Sequence, residues 1–267
     1  MLYFLKLGGS LITDKNKPHT PRARVIARLA GEMAEARRLN PDLQLIVGHG
    51  SGSYGHVAGD KYHTRQGVHT PAEWLGFSEV WQAARELNQI VTGALVDAGL
   101  PVIAFPPSAA ALAQNGQVSR WDTQPIRAAL AAGLVPLVYG DVVFDTLLGG
   151  TILSTEELFI YLARQLWPQR ILLAGLEKGV WADYPVSKQL IAAITPESFS
   201  GLAANLAGSA AVDVTGGMAQ KVSSMVALVE QLPGTEALIF SGRRAGQVRR
   251  ALSGESVGTK IFQALEE

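Results

Sequence analysis

Residues 43–56 read LQLIVGHGSGSYGH, an apolar run over Leu43–Val47 followed directly by a glycine-rich loop over residues 48–56. A short apolar run that ends in small residues is typical of a buried strand followed by a tight turn. The consecutive N–H groups that such a turn exposes form a natural nest for an anion. The stretch therefore predicts a buried strand with an anion-binding loop at its carboxyl end. The alternative is a tight glycine turn that binds nothing.

Two phosphate-binding motifs match this loop in part. Its glycines fit G-x-G-x-x-G, but the dinucleotide motif also needs a second strand and an acidic residue about 20 positions further on. Glu73 stands at that distance, at the start of a helical stretch. Residues 50–55 also fit the start of a P-loop, but His56 and Val57 occupy the positions where Lys and Ser or Thr are required. The loop therefore matches neither motif fully, and backbone binding of an anion remains.

The same order of strand, glycine turn and helix recurs along the chain. It predicts βαβ units and a parallel sheet with helices on both faces. The predicted strands are Leu2–Leu7, Leu43–Val47, Pro101–Phe105, Val135–Tyr139, Arg170–Ala174 and Ala237–Phe240; the predicted helices are Pro21–Leu39, Pro71–Ala98 with Gly93 as a candidate break, Pro125–Ala132, Glu156–Gln165 and Met218–Gln231.

Four glycine-containing turns accompany these strands at their ends. They are KLGGS at 6–10, GHGSGS at 48–53, YGDV at 139–142 and FSGR at 240–243. Ligands of open parallel sheets bind beyond the carboxyl ends of the strands. We therefore expect a single active edge built from several loops.

The overall composition restricts the class of protein. The 267 residues can form one large α/β domain or two closely joined lobes, with a boundary near residue 165 where Trp167-Pro168 interrupts the pattern. The formal net charge of zero argues against a basic nucleic-acid surface, and the absence of cysteine excludes disulfides and thiol catalysis. No signal peptide or membrane-spanning run is recognised. We expect a cytoplasmic protein that binds neither nucleic acid nor membrane.

Besides the loop over residues 48–56, two glycine turns are accompanied by lysines. Lys6 precedes Gly8-Gly9, with Lys15 nearby, and the segment 213-DVTGGM-218 opens a helix that carries Lys221. Each feature has a simpler explanation, a solvated lysine or a capped helix. Three glycine-rich turns with several lysines at one sheet edge nevertheless suit a polyphosphate, because catalysis of phosphoryl transfer is mostly positioning and charge neutralisation.

These motifs resemble the amino-acid kinase superfamily over nearly the whole chain. The segments occur in the family's order: KLGGS, GHGSGSYGH, YGDVVFD, GVWADYP, DVTGGMAQK and the closing SGR…GT. The second loop with its terminal histidine and the segment DVTGGM are most similar to those of the isopentenyl phosphate kinases. The resemblance implies a three-layer αβα sandwich around a mainly parallel sheet, with an acceptor lobe over about residues 1–165 and a nucleotide lobe over about 166–267. It also implies a homodimer that uses ATP and Mg²⁺ to convert isopentenyl phosphate into isopentenyl diphosphate.

The resemblance also implies roles for individual residues. It assigns catalysis to Lys6, Lys15, His56 and Lys221; ATP binding to Lys6, Gly8, Gly9, Ser10, Ser51, Glu156, Gly175, Gly179, Asp183, Pro185, Gly217 and Lys221; and acceptor binding to Gly50, Gly55, His56, Gly140 and Asp141. No metal-ligand spacing links the histidines, so no protein metal site is predicted.

Residue chemistry independently supports His56. An acceptor that already carries phosphate presents two negative charges at the attack site, which a protonatable imidazole suits better than a neutral amide. His49, one residue after the predicted strand, is expected to be a core or turn histidine. The apolar tail needs a pocket, and Phe77 and Val80 are our candidates, although a helical stripe of this kind more often faces the core.

Two segments depart from the family pattern, and two other functions stay open. Residues 154–157 read STEE where the family usually has S-G-D-D, and residues 177–179 read EKG in place of Val-Asp-Gly. Both changes affect the expected nucleotide loops. The alternatives are a kinase of another alkyl phosphate or phosphonate, similar to a fosfomycin kinase, and a nucleotide-sensing module without catalysis.

Overall fold

The computed structural model describes residues 1–184, 186–207 and 217–264, and for residues 56–58, 60 and 203–207 it describes the backbone alone. Pro185 and the first part of the DVTGGM segment, residues 213–216, lie outside the described residues. The side chain of His56 does so as well.

Strands and helices alternate through the described residues. The strands are β1 Leu2–Leu7, β2 Gln44–His49, β3 Val102–Ala104, β4 Ala111–Gln114, β5 Gln117–Trp121, β6 Val135–Tyr139, β7 Asp141–Asp145, β8 Gly149–Leu153, β9 Arg170–Gly175, β10 Val180–Trp181, β11 Leu190–Ile191, β12 Ala193–Ile194, β13 Glu236–Ser241 and β14 Thr259–Phe262. The helices are α1 Gly9–Ile12, α2 Ala23–Leu39, α3 Gly52–Tyr62, α4 Pro71–Asp97, α5 Pro107–Ala110, α6 Gln124–Ala131, α7 Thr155–Leu166, α8 Pro196–Ala207, α9 Gly217–Gln231 and α10 Gln247–Leu252, with a 3-10 helix at Thr64–Gln66.

The main sheet has eight strands in the order β12-β14-β13-β9-β1-β2-β6-β3. All neighbours are parallel except β13 and β14. At its centre, Leu5 of β1 pairs with Val47 of β2 on one side and with Leu172 of β9 on the other. The carboxyl ends of β1, β2, β6, β9 and β13 therefore meet at one edge, where the glycine turns leave the sheet.

Helices cover both faces of this sheet. Along β1 the side chains alternate, so that Tyr3 and Leu5 enter one core cluster and Leu2 and Phe4 enter the other. The first cluster includes buried residues of α2, α4 and α10, and the second includes residues of α6, α7 and α9. The predicted three-layer αβα sandwich is confirmed.

A smaller four-stranded sheet, in the order β5-β4-β7-β8, was not predicted. Its organising residue is Asp145, which is 4% exposed and accepts hydrogen bonds from the backbone nitrogens of Asn115, Gly116, Leu147 and Leu148 at 2.7–3.0 Å. One carboxylate thus fixes the turn after β4 and the turn after β7. This sheet brings β8 and the start of α7 to the edge where the glycine turns lie.

Two helices differ from the sequence expectation. α4 continues through Gly93 without a break, and it begins at a capping box formed by Thr70 and Glu73. The loop after β2 is shorter than predicted, since α3 begins at Gly52. In the described part of the chain no helix is both long and apolar enough to cross a bilayer.

Candidate active site

A cleft of about 470 Å³ opens at the carboxyl ends of the central strands. It is lined by Lys6, Gly8, Gly9, Ser10, Lys15, Gly50, Ser51, Gly140, Glu156, Gly175, Gly217 and Lys221 among the residues predicted from the sequence. The fold thus brings most of the predicted phosphate-binding residues into one space, from positions more than 200 residues apart.

Two glycine loops form a close-packed floor in this cleft. A Cβ on Gly9 would lie 2.5 Å from the backbone nitrogen of Gly52, and one on Gly50 would lie 3.0 Å from that of Gly9. Gly52 itself has φ +51, a left-handed conformation that favours glycine. Thr13 joins the loops, since its hydroxyl donates to the Gly9 carbonyl and accepts from the Ser53 nitrogen at 2.8 and 2.9 Å. Larger residues would force the two loops apart, so glycine keeps their backbones together in a floor of the cleft that we call the glycine cradle.

Glu156 joins two lysines inside the cleft. The Lys6 ammonium forms an ion pair with Glu156 Oε1, and Lys221 Nζ lies 3.9 Å from the same oxygen. Burial alone would raise the pKa of Glu156, but the neighbouring Lys6 and Lys221 charges outweigh it and hold the pKa below the usual 4.5. The carboxylate therefore stays ionised and fixes both lysines beside the glycine cradle.

The start of α7 holds Glu156 in place. Ser154 and Glu157 form a capping box, in which Ser154 Oγ accepts from the Glu157 nitrogen and Glu157 Oε2 accepts from the Ser154 nitrogen. Thr155 is buried, and its hydroxyl donates to the His49 carbonyl at 2.6 Å. The STEE segment, although it departs from the family pattern, thus anchors α7 to the end of β2.

His49 lies behind the cleft in the protein core. It is fully buried, stacks on Tyr139 at 5.4 Å and has Asn88 Oδ1 3.2 Å from its Nε2. Burial lowers its pKa to about 4, and the positive charge of Lys6 contributes to this shift. His49 is therefore a neutral core residue at physiological pH, as predicted.

Comparison with known proteins identifies the family of the chain. The profile of the amino acid kinase family matches residues 1–241. The chain belongs to the amino acid kinase family. That family transfers phosphoryl groups, so both the predicted family and the predicted enzyme class are confirmed.

Individual relatives within the family match the chain over nearly its whole length. Isopentenyl phosphate kinase of Methanocaldococcus jannaschii is 32% identical over 98% of this chain and 98% of its own length. The enzyme of the same name from Methanothermobacter thermautotrophicus is 33% identical over 97% of this chain and 98% of its own. A crystal structure described as an isopentenyl phosphate kinase is 29% identical, covers 98% of this chain and 100% of its own, and superposes with a TM-score of 0.82.

Several residues predicted for the site of this kinase do not line the cleft. Asp141 is fully buried in β7, where it accepts from the Val142 and Ser108 nitrogens, and burial raises its pKa to about 6. Gly179 leaves no space for a side chain, since a Cβ would lie 2.5 Å from Thr259 Oγ1. Asp183 accepts from the Lys188 and Gln189 nitrogens and so shapes its own loop.

The residues proposed for the acceptor side also have structural contacts. Gly55 is buried on α3, where a side chain would collide with Ser51. Phe77 and Val80 lie in a separate core cluster with Val68 and Val142, and Ile152 packs against this cluster and also lines the cleft. The side chain of His56 and residue Pro185 are outside the described residues, so those two assignments remain predictions.

Sequence reasoning missed several residues that line the cleft. Arg65 carried no local signal, and neither did Ile152. Glu177, Trp181 and Tyr184 also line the cleft, and Glu177 Oε2 accepts from Trp181 Nε1 at 2.9 Å. The capping box of α7, by contrast, was readable as Ser-x-x-Glu before an apolar helix.

Proposed function

We propose that the chain transfers the γ-phosphoryl group of ATP to isopentenyl phosphate, which yields ADP and isopentenyl diphosphate. The observation that carries this proposal is the Lys6–Glu156–Lys221 cluster beside the glycine cradle. Full-length relatives named isopentenyl phosphate kinase support the choice of acceptor. The other acceptors and the sensing role have no comparable support among these relatives.

The proposed chemistry needs positioning and neutralisation of charge more than covalent assistance. A phosphate oxygen of the acceptor attacks the γ-phosphorus, the bond from that phosphorus to the β,γ-bridging oxygen breaks, and ADP leaves. The N–H groups of Gly9 and Ser10 would hold the ATP phosphates, while the N–H of Gly8 donates to the Ala174 carbonyl at 2.8 Å and so positions this loop. Lys6 and Lys221 would neutralise the charge that develops. Because the attacking oxygen belongs to a phosphate of low proton affinity, no strong general base is required.

The two substrates would approach from opposite walls. The nucleotide would use the wall that includes Gly175, Trp181 and Tyr184, in the proposed nucleotide lobe over residues 166–267. The acceptor would use the wall that includes Gly50 and Ile152, in the proposed acceptor lobe over residues 1–165. We also propose contacts of Asp183 and Pro185 with the nucleotide and of His56 with the acceptor. Gly55, Asp141, Phe77 and Val80 do not line the cleft, and we propose that they act on the acceptor through the residues that do.

Magnesium, assembly and location are further parts of the proposal. Within the described residues no group of three or more His, Asp or Glu side chains could hold a metal ion. We therefore propose that Mg²⁺ arrives with the phosphate oxygens of ATP, as Mg²⁺ bound through substrate phosphates and water commonly does. We also propose a cytoplasmic homodimer; light scattering of the purified protein tests the dimer.

An acceptor comparison tests the proposed reaction. Purified protein with Mg-ATP is given isopentenyl phosphate, isopentenol or fosfomycin, and ADP formation is followed. We expect kcat/KM for isopentenyl phosphate to be the highest by at least about 100-fold, because we propose that the site binds a phosphorylated acceptor with an apolar tail. Preferred turnover of fosfomycin, or ATP binding without turnover of any acceptor, would overturn the proposal.

His56→Ala tests the residue that ends the second glycine loop. We expect kcat to fall about 100-fold or more while the Kd for ATP stays within about twofold, because His56 is proposed to contact the acceptor phosphate and the transferring group. His69→Ala is the matched control, since His69 is exposed and makes its Glu73 hydrogen bond through the backbone. An unchanged kcat in His56→Ala would remove this residue from the mechanism.

A further inference from the structure

Arg65 is a cleft residue to which the motifs assign no role. It lies on the 3-10 helix that follows α3, nine positions after His56. Its Nη2 donates to Glu157 Oε1 at 2.7 Å, and its Nη1 lies 3.5 Å from the Ile152 carbonyl oxygen. The Thr151 hydroxyl donates to the Arg65 carbonyl at 3.0 Å and so ties its backbone to β8. The guanidinium is therefore held at the rim of the cleft while 40% of the side chain remains exposed.

Arg65 lies on the side of the cleft that we propose for the acceptor. Its contacts are with Ile152 and Glu157, whereas the side proposed for the nucleotide includes Gly175 of β9 and the cleft residues Trp181 and Tyr184. Ile152 also packs against the apolar cluster of Val68, Phe77, Val80 and Val142. The Arg65 guanidinium thus lies beside an apolar surface on this side of the cleft. Binding of an alkyl phosphate requires both, the cation for its phosphate and the apolar surface for its alkyl chain.

The Arg65 guanidinium can neutralise negative charge that the acceptor brings into the cleft. Lys6 and Lys221 share Glu156, close to the cradle that would hold the ATP phosphates. The acceptor brings a second phosphate with up to two negative charges, and two phosphates that approach for reaction repel each other. A guanidinium presents five N–H donors in a planar fork that matches a phosphate. One edge can stay on Glu157 while other donors bind the ligand.

We propose that Arg65 binds the phosphate group of the acceptor and orients it toward the transferring phosphoryl group. This inference rests on the proposed function. Glu157 acts as the support of the guanidinium: it does not line the cleft, and its second oxygen is used in the capping box of α7. Arg65 is thus a substrate-binding residue and Glu157 a structural one.

The test compares Arg65→Gln with Glu157→Gln. Both variants remove the same ion pair, but only the first removes the cation, and Gln at the capping-box position retains the cap. We expect Arg65→Gln to raise KM for isopentenyl phosphate about 10- to 100-fold, the range for a hydrogen bond to a charged group, with KM for ATP unchanged within about twofold. Glu157→Gln should keep KM for isopentenyl phosphate within about threefold of wild type.

Arg65→Lys adds a readout that a merely structural arginine would not give. It keeps the charge and loses the planar fork, so KM for isopentenyl phosphate should fall between wild type and Arg65→Gln. Thermal unfolding of all three variants reports loss of folding, and titration calorimetry of isopentenyl phosphate with each folded variant measures binding without turnover. A loss of acceptor affinity in Arg65→Gln without such a loss in Glu157→Gln supports the proposal.

Other outcomes would overturn the inference, and they differ from failure of the proposed function. An equal loss of affinity for isopentenyl phosphate in Arg65→Gln and Glu157→Gln would show that Arg65 has only a structural role. An unchanged KM in Arg65→Gln would remove Arg65 from the site while the kinase activity stands. A wild-type protein that neither binds nor turns over isopentenyl phosphate would refute the proposed function itself, and with it this inference.

Discussion

Replacing Glu156 with glutamine tests whether one carboxylate holds both lysines of the cleft. The side chains of Lys6 and Glu156 are 10% and 17% exposed, so the pair is largely desolvated. Removing one partner of a buried ion pair typically costs about 3–5 kcal/mol, because the other charge stays buried without its partner. Because some exposure remains, we expect Glu156→Gln to lower the free energy of unfolding by about 3 kcal/mol. For a chain of this size that corresponds to a fall in Tm of roughly 6–12 °C.

Glu156→Gln should lower the stability of the free protein without weakening nucleotide binding. Mg-ATP supplies phosphate oxygens to both lysines, so the deficit in Tm should shrink at saturating Mg-ATP while KM for ATP does not rise. Turnover should nevertheless fall about 100-fold, because the lysines lose the anchor that positions them. The deficit should also depend on pH: the lowered pKa of Glu156 means that its stabilisation is full above about 4.5 and is lost as the pH falls through the pKa of the folded state.

Differential scanning fluorimetry with and without Mg-ATP, together with steady-state kinetics, measures these effects. Glu157→Gln is the control from the next position of α7, since its partner Arg65 is partly exposed and such pairs contribute about 0–1 kcal/mol. A Tm deficit in Glu156→Gln no larger than that of Glu157→Gln would refute the buried-cluster interpretation. So would a deficit that is equally large at pH 7 and at pH 3.5.

Two further substitutions test buried carboxylates outside the cleft. Burial raises the pKa of Asp141 from 3.8 to about 6. Ionisation of Asp141 therefore destabilises the folded state progressively between pH 3.8 and about pH 6, and by about 3 kcal/mol above that range. Asp141→Asn should change Tm more favourably at pH 7.5 than at pH 4, and an equal change at the two pH values would contradict this. Asp145→Ala should lower the free energy of unfolding by about 3 kcal/mol, because four backbone donors lose their acceptor. Asp122→Ala, which removes one hydrogen bond to the exposed Gln124 nitrogen, should cost less than about 1 kcal/mol in chemical denaturation, and equal losses would refute the role of Asp145.

The main sheet could be predicted because its strands are short apolar runs bounded by glycine or proline. The elements that were missed lack that signal. α3 begins within residues 50–55, where glycines lower helix propensity, and its first residue has a positive φ. The four-stranded sheet consists of segments of four or five residues whose pairing depends on Asp145 and on contacts across more than 20 positions.

The parts of the site where backbone geometry requires glycine could be predicted from the sequence. The parts where a side chain acts through tertiary contacts could not be predicted as well. The glycine loops at Gly9 and Gly50 and the lysines beside such loops indicate a phosphate site directly. Arg65 joins the cleft only because β8 and α7 fold against its 3-10 helix, which no local pattern reveals. Phe77 fits a helical core stripe and a pocket wall equally well in sequence, and its buried contacts are those of the core.

Phosphorus NMR of the wild-type protein with Mg-ATP and isopentenyl phosphate is the most direct test of the central claim, that the cleft joins two phosphates. We predict that ADP and isopentenyl diphosphate appear in equal amounts as the monophosphate disappears. Release of inorganic phosphate from ATP while the monophosphate persists would contradict the claim.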